Sequence, residues 1–581
     1  MRFASDASAV LVPLLGLALL GGMPEHAQAQ DFWDLFRPPR PSGEVRPSPN
    51  KQAMPGPGAG GGAGSYSTTP PWLEPRSRPV ERADLAPAIA DGSGLPVELW
   101  RGVEIKNLEA ALAEIDIPPR SPALHALWRR MLRSSALPPA GTNDSHFLAL
   151  RLEALYRSGL LDDMGEILDA SSATAPEIQA LRARRDVGLG RREAGCRAAK
   201  ALAALNTGQR EHLKGEAQLF AGYCAAVSGD AAGAGLAAAL AREEGLEAEL
   251  PLAVLNGVAS GTKPKLHLEK RALLIDYRFL ELLGPINAAQ LLERAEPALL
   301  AVLARDGAGD AGMQIVAAEA AFRLNIVSAS VVLAAYAREQ RGPSSEAASR
   351  RANLFNTLEG TESADLRARA MRSLLEHTGG EGQRTETARL LAPALLKLPP
   401  SPELGWFATP AVEIALSGGE FATARRWAQT RFPGHWLALV AIADAEGGAP
   451  LKEALGAIDD LARGGQINVD ALQRLVTVLD ALNIEMPMTL WDAASRAPQP
   501  AYGYLPETGL LADLAQSSKR KELGRTVLLV MRALGRNGPA GAHVLALRDA
   551  IAALKRVGLE ADARRLGVEA LLPMWPRAVA N

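Results

Sequence analysis

The sequence predicts an all-α protein, and three observations carry that prediction. Ala and Leu dominate the 581 residues while aromatics make up only 5%, and such residues lose little freedom on entering a helix. From about Leu95 to Pro576 apolar residues recur at three- and four-residue spacing with charges between them, as in Ala123–Ser135 and Phe147–Tyr156. No sustained two-residue alternation interrupts this pattern. Instead, Gly, Pro and Asn clusters punctuate it at Asn206-Thr207-Gly208, Gly261-Thr262-Lys263-Pro264, Gly342-Pro343, Thr378-Gly379-Gly380, Leu398-Pro399-Pro400 and Ala497-Pro498-Gln499-Pro500.

The first element, residues 1–29, reads as a secretory signal peptide. Arg2 gives a basic start, Ala9–Leu20 is an apolar run, and Ala27-Gln28-Ala29 offers small residues at the cleavage positions. The run is shorter than the roughly 20 residues of a membrane-spanning helix. Gln30 is the expected mature start, and the expected location is periplasmic or secreted. Residues 30–94 are rich in Pro, Gly and Ser and are expected to be a disordered linker, because they bury too little apolar area to offset chain entropy. Such a segment reaches roughly 40 Å as a random coil. Its start carries Asp31-Phe32-Trp33-Asp34-Leu35-Phe36, so Phe32, Trp33 and Phe36 are candidate anchors for a partner's groove.

Residues 95–577 form the expected helical domain, with sub-breaks near 257–267 and 378–404. Their length, roughly 480 residues, exceeds what one compact core usually holds and favours an elongated array of paired helices. Several hairpins share one spacing around a turn glycine. Gly229 is followed by Ala234, Ala238 and Ala241; Gly419 by Ala424, Ala428 and Arg431; Gly558 by Ala563, Gly567 and Ala570. Gly190 gives Gly195, Ala199 and Leu202, Gly159 gives Met164, Leu168 and Ser171, and Ala221, Ala411 and Ala550 lie eight residues before their turns. Gly ends the first helix in the left-handed conformation, and small residues let the antiparallel partners approach closely. This spacing resembles the tetratricopeptide repeat, which implies an irregular α-solenoid of antiparallel helix hairpins. The family's aromatic positions are mostly missing, and the intervals are uneven: 31 residues from Gly159 to Gly190, then 39 to Gly229. The alternative is a generic Ala-rich bundle. Stretches such as Leu124–Arg130 and Leu150–Tyr156 are similar to those of exported proteobacterial proteins of undefined role, some labelled "antifreeze". The regular Thr array of an ice-binding face is absent here.

The two cysteines, Cys196 and Cys224, lie on consecutive predicted helices at comparable distances from the Asn206–Gly208 break. In an oxidising compartment they are expected to form a disulfide worth on the order of 3 kcal/mol. The alternative is two small buried thiols.

Charge is balanced, 63 Lys+Arg against 65 Asp+Glu, so nothing global points to nucleic acid. After the signal peptide the nearest approach to a membrane span, Ile315–Ala337, carries Glu319 and Arg323, which read as solvent edges of packed helices. No integral membrane segment is therefore expected in the mature chain. The scattered histidines lack metal-ligand spacing, and no cofactor motif is found. Ser518-Lys519-Arg520-Lys521 has the SxxK spacing without its companion motifs and reads as a solvated basic helix end. Gly312-Met313-Gln314 is similar to the GLMQ stretch of lytic transglycosylases, which carry a large helical ring; the upstream Glu-Ser pair of those enzymes is missing. Arg184, Arg185, Arg191 and Arg192 fall in a local basic cluster that reads as a solvated face, or as a site for an anionic glycan or peptide carboxylates. Tyr502 and Tyr504 stand in a Pro-rich loop suited to a partner, or to plugging the array's inner groove. The expected function is a non-enzymatic scaffold holding a protein partner in the cell envelope. The alternative is a peptidoglycan-binding module or a glycan-cleaving enzyme.

Overall fold

A computed structural model describes residues 93–577, apart from 206–210, 265–270, 285, 287–288, 307–310, 339–346, 378–380, 430–433, 444–450 and 499–501. The signal-peptide reading, the linker up to residue 92 and the Phe32-Trp33-Phe36 motif lie outside the described residues. Those described contain 28 α-helices, a few short 3₁₀ segments and no strand, so the protein is all-α.

The first helices show how local chemistry fixes their ends. They are α1 (Ile105–Glu114), α2 (Pro122–Arg133), α3 (Asp144–Arg157) and α4 (Leu161–Ala170). Proline opens α2, Ser121 Oγ accepts the Leu124 N–H at 3.2 Å, and Arg130 and Arg133 sit in its last turn. Asn143 caps α3 in the same way through the His146 N–H, at 2.8 Å. The fully buried Trp128 donates its indole N–H to Ser158 Oγ at 3.0 Å, tying α2 to the end of α3.

Next come α5 (Pro176–Gly188), α6 (Arg192–Ala204), α7 (Glu211–Val227), α8 (Ala231–Glu243) and α9 (Glu249–Ser260). All five repeat glycines, Gly159, Gly190, Gly229, Gly419 and Gly558, end a helix with φ between +72° and +91°, a region L side chains enter only at a cost. The small residues that follow are the packing points: Ala234, Ala238 and Ala241 are buried, and a Cβ on Gly195 would meet Val187 Cγ2 at 2.7 Å. The expectation is off by one residue before Gly229. There Ala221 is only half-buried, and its neighbour Gly222 makes the close approach, with room for no Cβ beside Leu255.

Cys196 on α6 and Cys224 on α7 are joined, S–S 2.03 Å, with their Cα atoms 5.7 Å apart. Cross-linking residues 28 apart removes loop entropy from the unfolded chain worth roughly 3–4 kcal/mol. Replacing both cysteines by serine is expected to lower the urea unfolding free energy by about that amount; an unchanged midpoint would refute it.

The chain continues through α10 (Leu274–Leu280), α11 (Ala289–Leu292), α12 (Pro297–Leu303), α13 (Ala311–Arg323) and α14 (Ala329–Arg338). Here a second expectation is corrected. Ile315–Ala337 is two helices broken at Asn325, which is left-handed with φ 60°. Glu319 is buried, not at a solvent edge: it accepts from Tyr336 Oη at 2.7 Å and pairs with Arg351. Burial without these partners would be costly. After them come α15 (Ala347–Glu359), α16 (Ala364–Glu376), α17 (Glu381–Leu396), α18 (Ala408–Gly418), α19 (Phe421–Ala428), α20 (Gly434–Ala443) and α21 (Leu451–Arg463). The last set is α22 (Val469–Ala481), α23 (Met488–Arg496), α24 (Thr508–Lys519), α25 (Leu523–Leu534), α26 (Gly538–Gly541), α27 (Val544–Arg556) and α28 (Glu560–Leu571).

Through most of this order each helix packs chiefly on its neighbours in sequence. The C-terminal quarter departs from that rule. There α22 packs on α27, α20 on α28, and α24, α25 and α27 on one another, while α28 reaches back to α2 and α25 to α1. The array therefore closes on its own beginning. At this seam Glu569 Oε2 accepts from Ser121 Oγ at 2.8 Å and from the Ala123 N–H at 3.1 Å. Arg130 pairs with the buried Asp562 at 2.6 Å, and the Gly524 N–H bonds Leu99 O at 2.9 Å. Asn325 donates to the carbonyls of Pro119 and Arg120, and Arg389 bonds Asn325 Oδ1 while lying 4.5 Å over the Phe322 ring.

Candidate interaction surfaces

The tyrosine loop is fixed at its backbone and open at its rings. Gly503 has φ +102°, and a Cβ there would press on the Ala542–His543 backbone. This clearance lets the loop pair with the chain before α27: the Tyr504 N–H bonds Gly541 O and the His543 N–H bonds Tyr504 O, both at 2.9 Å. Beneath them the fully buried Arg474 of α22 donates to Pro539 O at 3.0 Å and Ala542 O at 2.7 Å. Tyr502 and Tyr504 remain 46% and 48% exposed. Loss of water raises the Tyr502 phenol pKa, helped by the Asp470 carboxylate and opposed by Arg474. The side chains of Val469, Leu505 and Leu545, at the start of α22, beside the tyrosines and at the start of α27, are exposed as well.

The arginine cluster divides. Arg184, its side chain only 12% exposed, is held between Glu153, at 3.1 Å, and Glu216, with its guanidinium 5.7 Å from the Tyr156 ring centroid. Arg185 is buried, bonding Leu161 O and Asp186, each at 3.1 Å. The helical period explains this: Ile178, Leu181 and Arg185 stand on one inward stripe of α5. Arg191 and Arg192 are exposed, with Arg191 3.8 Å from Asp186. The structure thus brings only the second half of the cluster to the surface.

The Arg184 network extends inward. Glu153 is 1% exposed, and burial pushes its carboxyl up to about 7 against the opposing pull of Arg184. Glu296, 8% exposed, accepts the Leu274 N–H at 2.7 Å and is likewise pushed up to about 7 by burial. Asp276 caps the Leu273 N–H at 2.9 Å and is pushed up to about 6. These carboxyls brace α3, α5, α10 and α12 against one another.

A further site went unnoticed in the sequence. Trp406, 38% exposed, stands on the 3₁₀ turn Pro402–Phe407 before α18. The guanidiniums of Arg369 and Arg372 on α16 lie 5.3 and 6.0 Å from its ring centroid. With Ser373 and Glu376 they line an open cleft of about 440 Å³. The legible signal was Arg-x-x-Arg on one helix face, but only the fold brings the distant tryptophan to it.

Among the described residues no group of three or more His, Cys, Asp or Glu is arranged to hold a metal ion, and no helix is long and apolar enough to cross a membrane. The geometry thus defines an all-α protein with accessible aromatic surfaces on a closed helical array. No family model, curated protein or solved structure matches this chain.

Proposed function

We propose that this chain is an exported, non-enzymatic helical-repeat scaffold that holds a protein partner in the cell envelope. The stacking of tetratricopeptide-like antiparallel hairpins underlies it, and the five left-handed turn glycines support that reading. Export rests on the signal-peptide pattern of residues 1–29, and the Cys196–Cys224 disulfide supports it, because reducing cytosol opposes such bonds. The observation that carries the scaffold reading is the rigid presentation of Tyr502 and Tyr504. A backbone pinned from below by Arg474 offers two half-exposed rings beside Val469, Leu505 and Leu545. Pre-ordered aromatic side chains anchor partners at little entropic cost.

The test is affinity capture from a periplasmic extract with the full mature chain and with Tyr502→Ser/Tyr504→Ser. The expected result is one protein held by the native chain and released by the double variant, whose far-UV circular dichroism matches that of the native chain. Equal capture by both forms, or none by either, would count against this surface as the scaffold's contact.

A further inference from the structure

We propose that the Trp406 cleft binds a sugar ring bearing a carboxylate, as found in an acidic glycan. This inference stands apart from the scaffold reading and uses none of its residues.

The cleft begins with α16. Arg369 and Arg372 are one turn apart and project on the same side. Each has its Nε committed to a carboxylate four residues away: Arg369 to Asp365 and Arg372 to Glu376, both at 2.7 Å. These bonds hold the two guanidinium planes, as does their proximity to the Trp406 ring at 5.3 and 6.0 Å. The outer N–H edges of both arginines make no hydrogen bond among the described residues. Two held forks with open edges match the planar, bidentate geometry of a carboxylate better than they match a neutral hydroxyl.

The remaining lining fits the rest of such a ligand. The indole is 38% exposed, and the part of it not covered by the two guanidiniums gives apolar surface to the C–H face of a sugar ring, with a polar N–H at its rim. Glu376 has a second carboxylate oxygen, and the Ser373 hydroxyl, 3.3 Å from His377 Nδ1, keeps further capacity to meet ring hydroxyls. A volume of about 440 Å³ lies within the range of small-molecule sites. The surface is open on one side, so a chain of sugars can enter by one residue without threading. The two carboxylates already paired with the arginines limit the attraction for a bare anion, so the stacking contact is required as well.

The test is isothermal titration of the full chain with trigalacturonate, cellotriose, acetate and inorganic phosphate. Trigalacturonate is expected to bind, and cellotriose, acetate and phosphate to bind at least tenfold more weakly. Arg369→Gln/Arg372→Gln and Trp406→Ala should each weaken trigalacturonate at least tenfold. Arg369→Lys/Arg372→Lys keeps the charge but loses the forks, and should recover only part of the affinity. The two arginines are largely exposed, so their variants should leave thermal unfolding unchanged; Trp406 is 38% exposed, and if Trp406→Ala unfolds, the arginine pair alone decides. Equal binding of cellotriose would overturn the carboxylate element. Equal binding of acetate or phosphate would reduce the site to a simple anion trap. Absence of trigalacturonate binding at millimolar concentration would end the proposal, leaving the scaffold reading to its own test.

Discussion

Replacing Glu413 by alanine is expected to destabilise the fold by about 3–5 kcal/mol, the range for removing one partner of a buried ion pair. Glu413 lies mid-way along α18 between Val412 and Ile414, all buried. Its two oxygens accept from Arg384 Nε and Nη2, both at 2.7 Å, and Oε1 also accepts from Arg577 Nε at 2.9 Å. One carboxylate is therefore the shared counter-charge for two arginines, one on α17 and one beyond α28. The chain around Arg577 is held at two further points. Trp575 is buried, and His435 Nε2 meets Pro576 O at 3.0 Å. Alanine at 413 leaves two partly buried cations facing each other with that charge gone. Arg577→Ala should cost much less, because the bidentate Arg384 pair survives. Urea unfolding of the three proteins checks the order; a loss below about 1 kcal/mol for Glu413→Ala would show that the carboxylate is not the hub. Against a typical total of 5–15 kcal/mol, the expected loss is a large share.

What the sequence made legible follows from the range of the interactions involved. The turn glycines are legible because chirality is local: Gly229 and Gly558 end their helices wherever the helices go. The cysteine pair is legible because two consecutive helices fix the relative height of Cys196 and Cys224 within about one turn. The closure of the array is not legible. Ser121 meets Glu569 across 448 residues, and no periodicity encodes that distance. The basic cluster misleads for another reason. A run of arginines reads as a solvated face, yet Arg184 is largely and Arg185 almost wholly withdrawn from water because α5 and α7 supply Asp186 and Glu216 and α3 supplies Glu153. Glu319 misleads in the same way, through partners on α14 and α15. Where a charge lies in this protein depends on its partner, and most of these partners come from other helices, Asp186 beside Arg185 being the exception.

The same buried acids make stability depend on pH, and the fold is expected to gain several kcal/mol between pH 8 and about pH 5.5. Glu153, Glu296 and Glu569 are each pushed by burial from about 4.5 up to about 7. Glu569 keeps some exposed surface, but its carboxyl is enclosed at the seam by Ser121 and Ala123. At pH 8 all three are ionised in the folded and the unfolded chain, and the fold alone suffers the lost hydration. Between about 7 and 4.5 the fold binds protons the unfolded chain does not. Their contribution is thus complete below about 4.5 and lost as pH rises through about 7, with a limit of roughly 3 kcal/mol each. Asp276, pushed up to about 6, acts in the same direction. His125 opposes them. Burial, with Arg129 and Arg389 nearby, pushes its imidazole down to about 3, so its contribution is present above about 6.5 and fades as pH falls. At pH 5.5 it removes only about 1 kcal/mol, which leaves the carboxyls dominant. Glu569→Gln separates the seam from the interior acids. Its amide oxygen can accept both seam hydrogen bonds without a charge, so the variant should match the native protein near pH 5, exceed its stability at pH 8 and flatten the slope. Urea unfolding at both pH values reads this directly; an unchanged slope would mean that Glu569 does not titrate in this range. A flattened slope would locate part of the alkaline weakening at the junction of α2 and α28, where ionisation strains the contact that returns the last helix to the first.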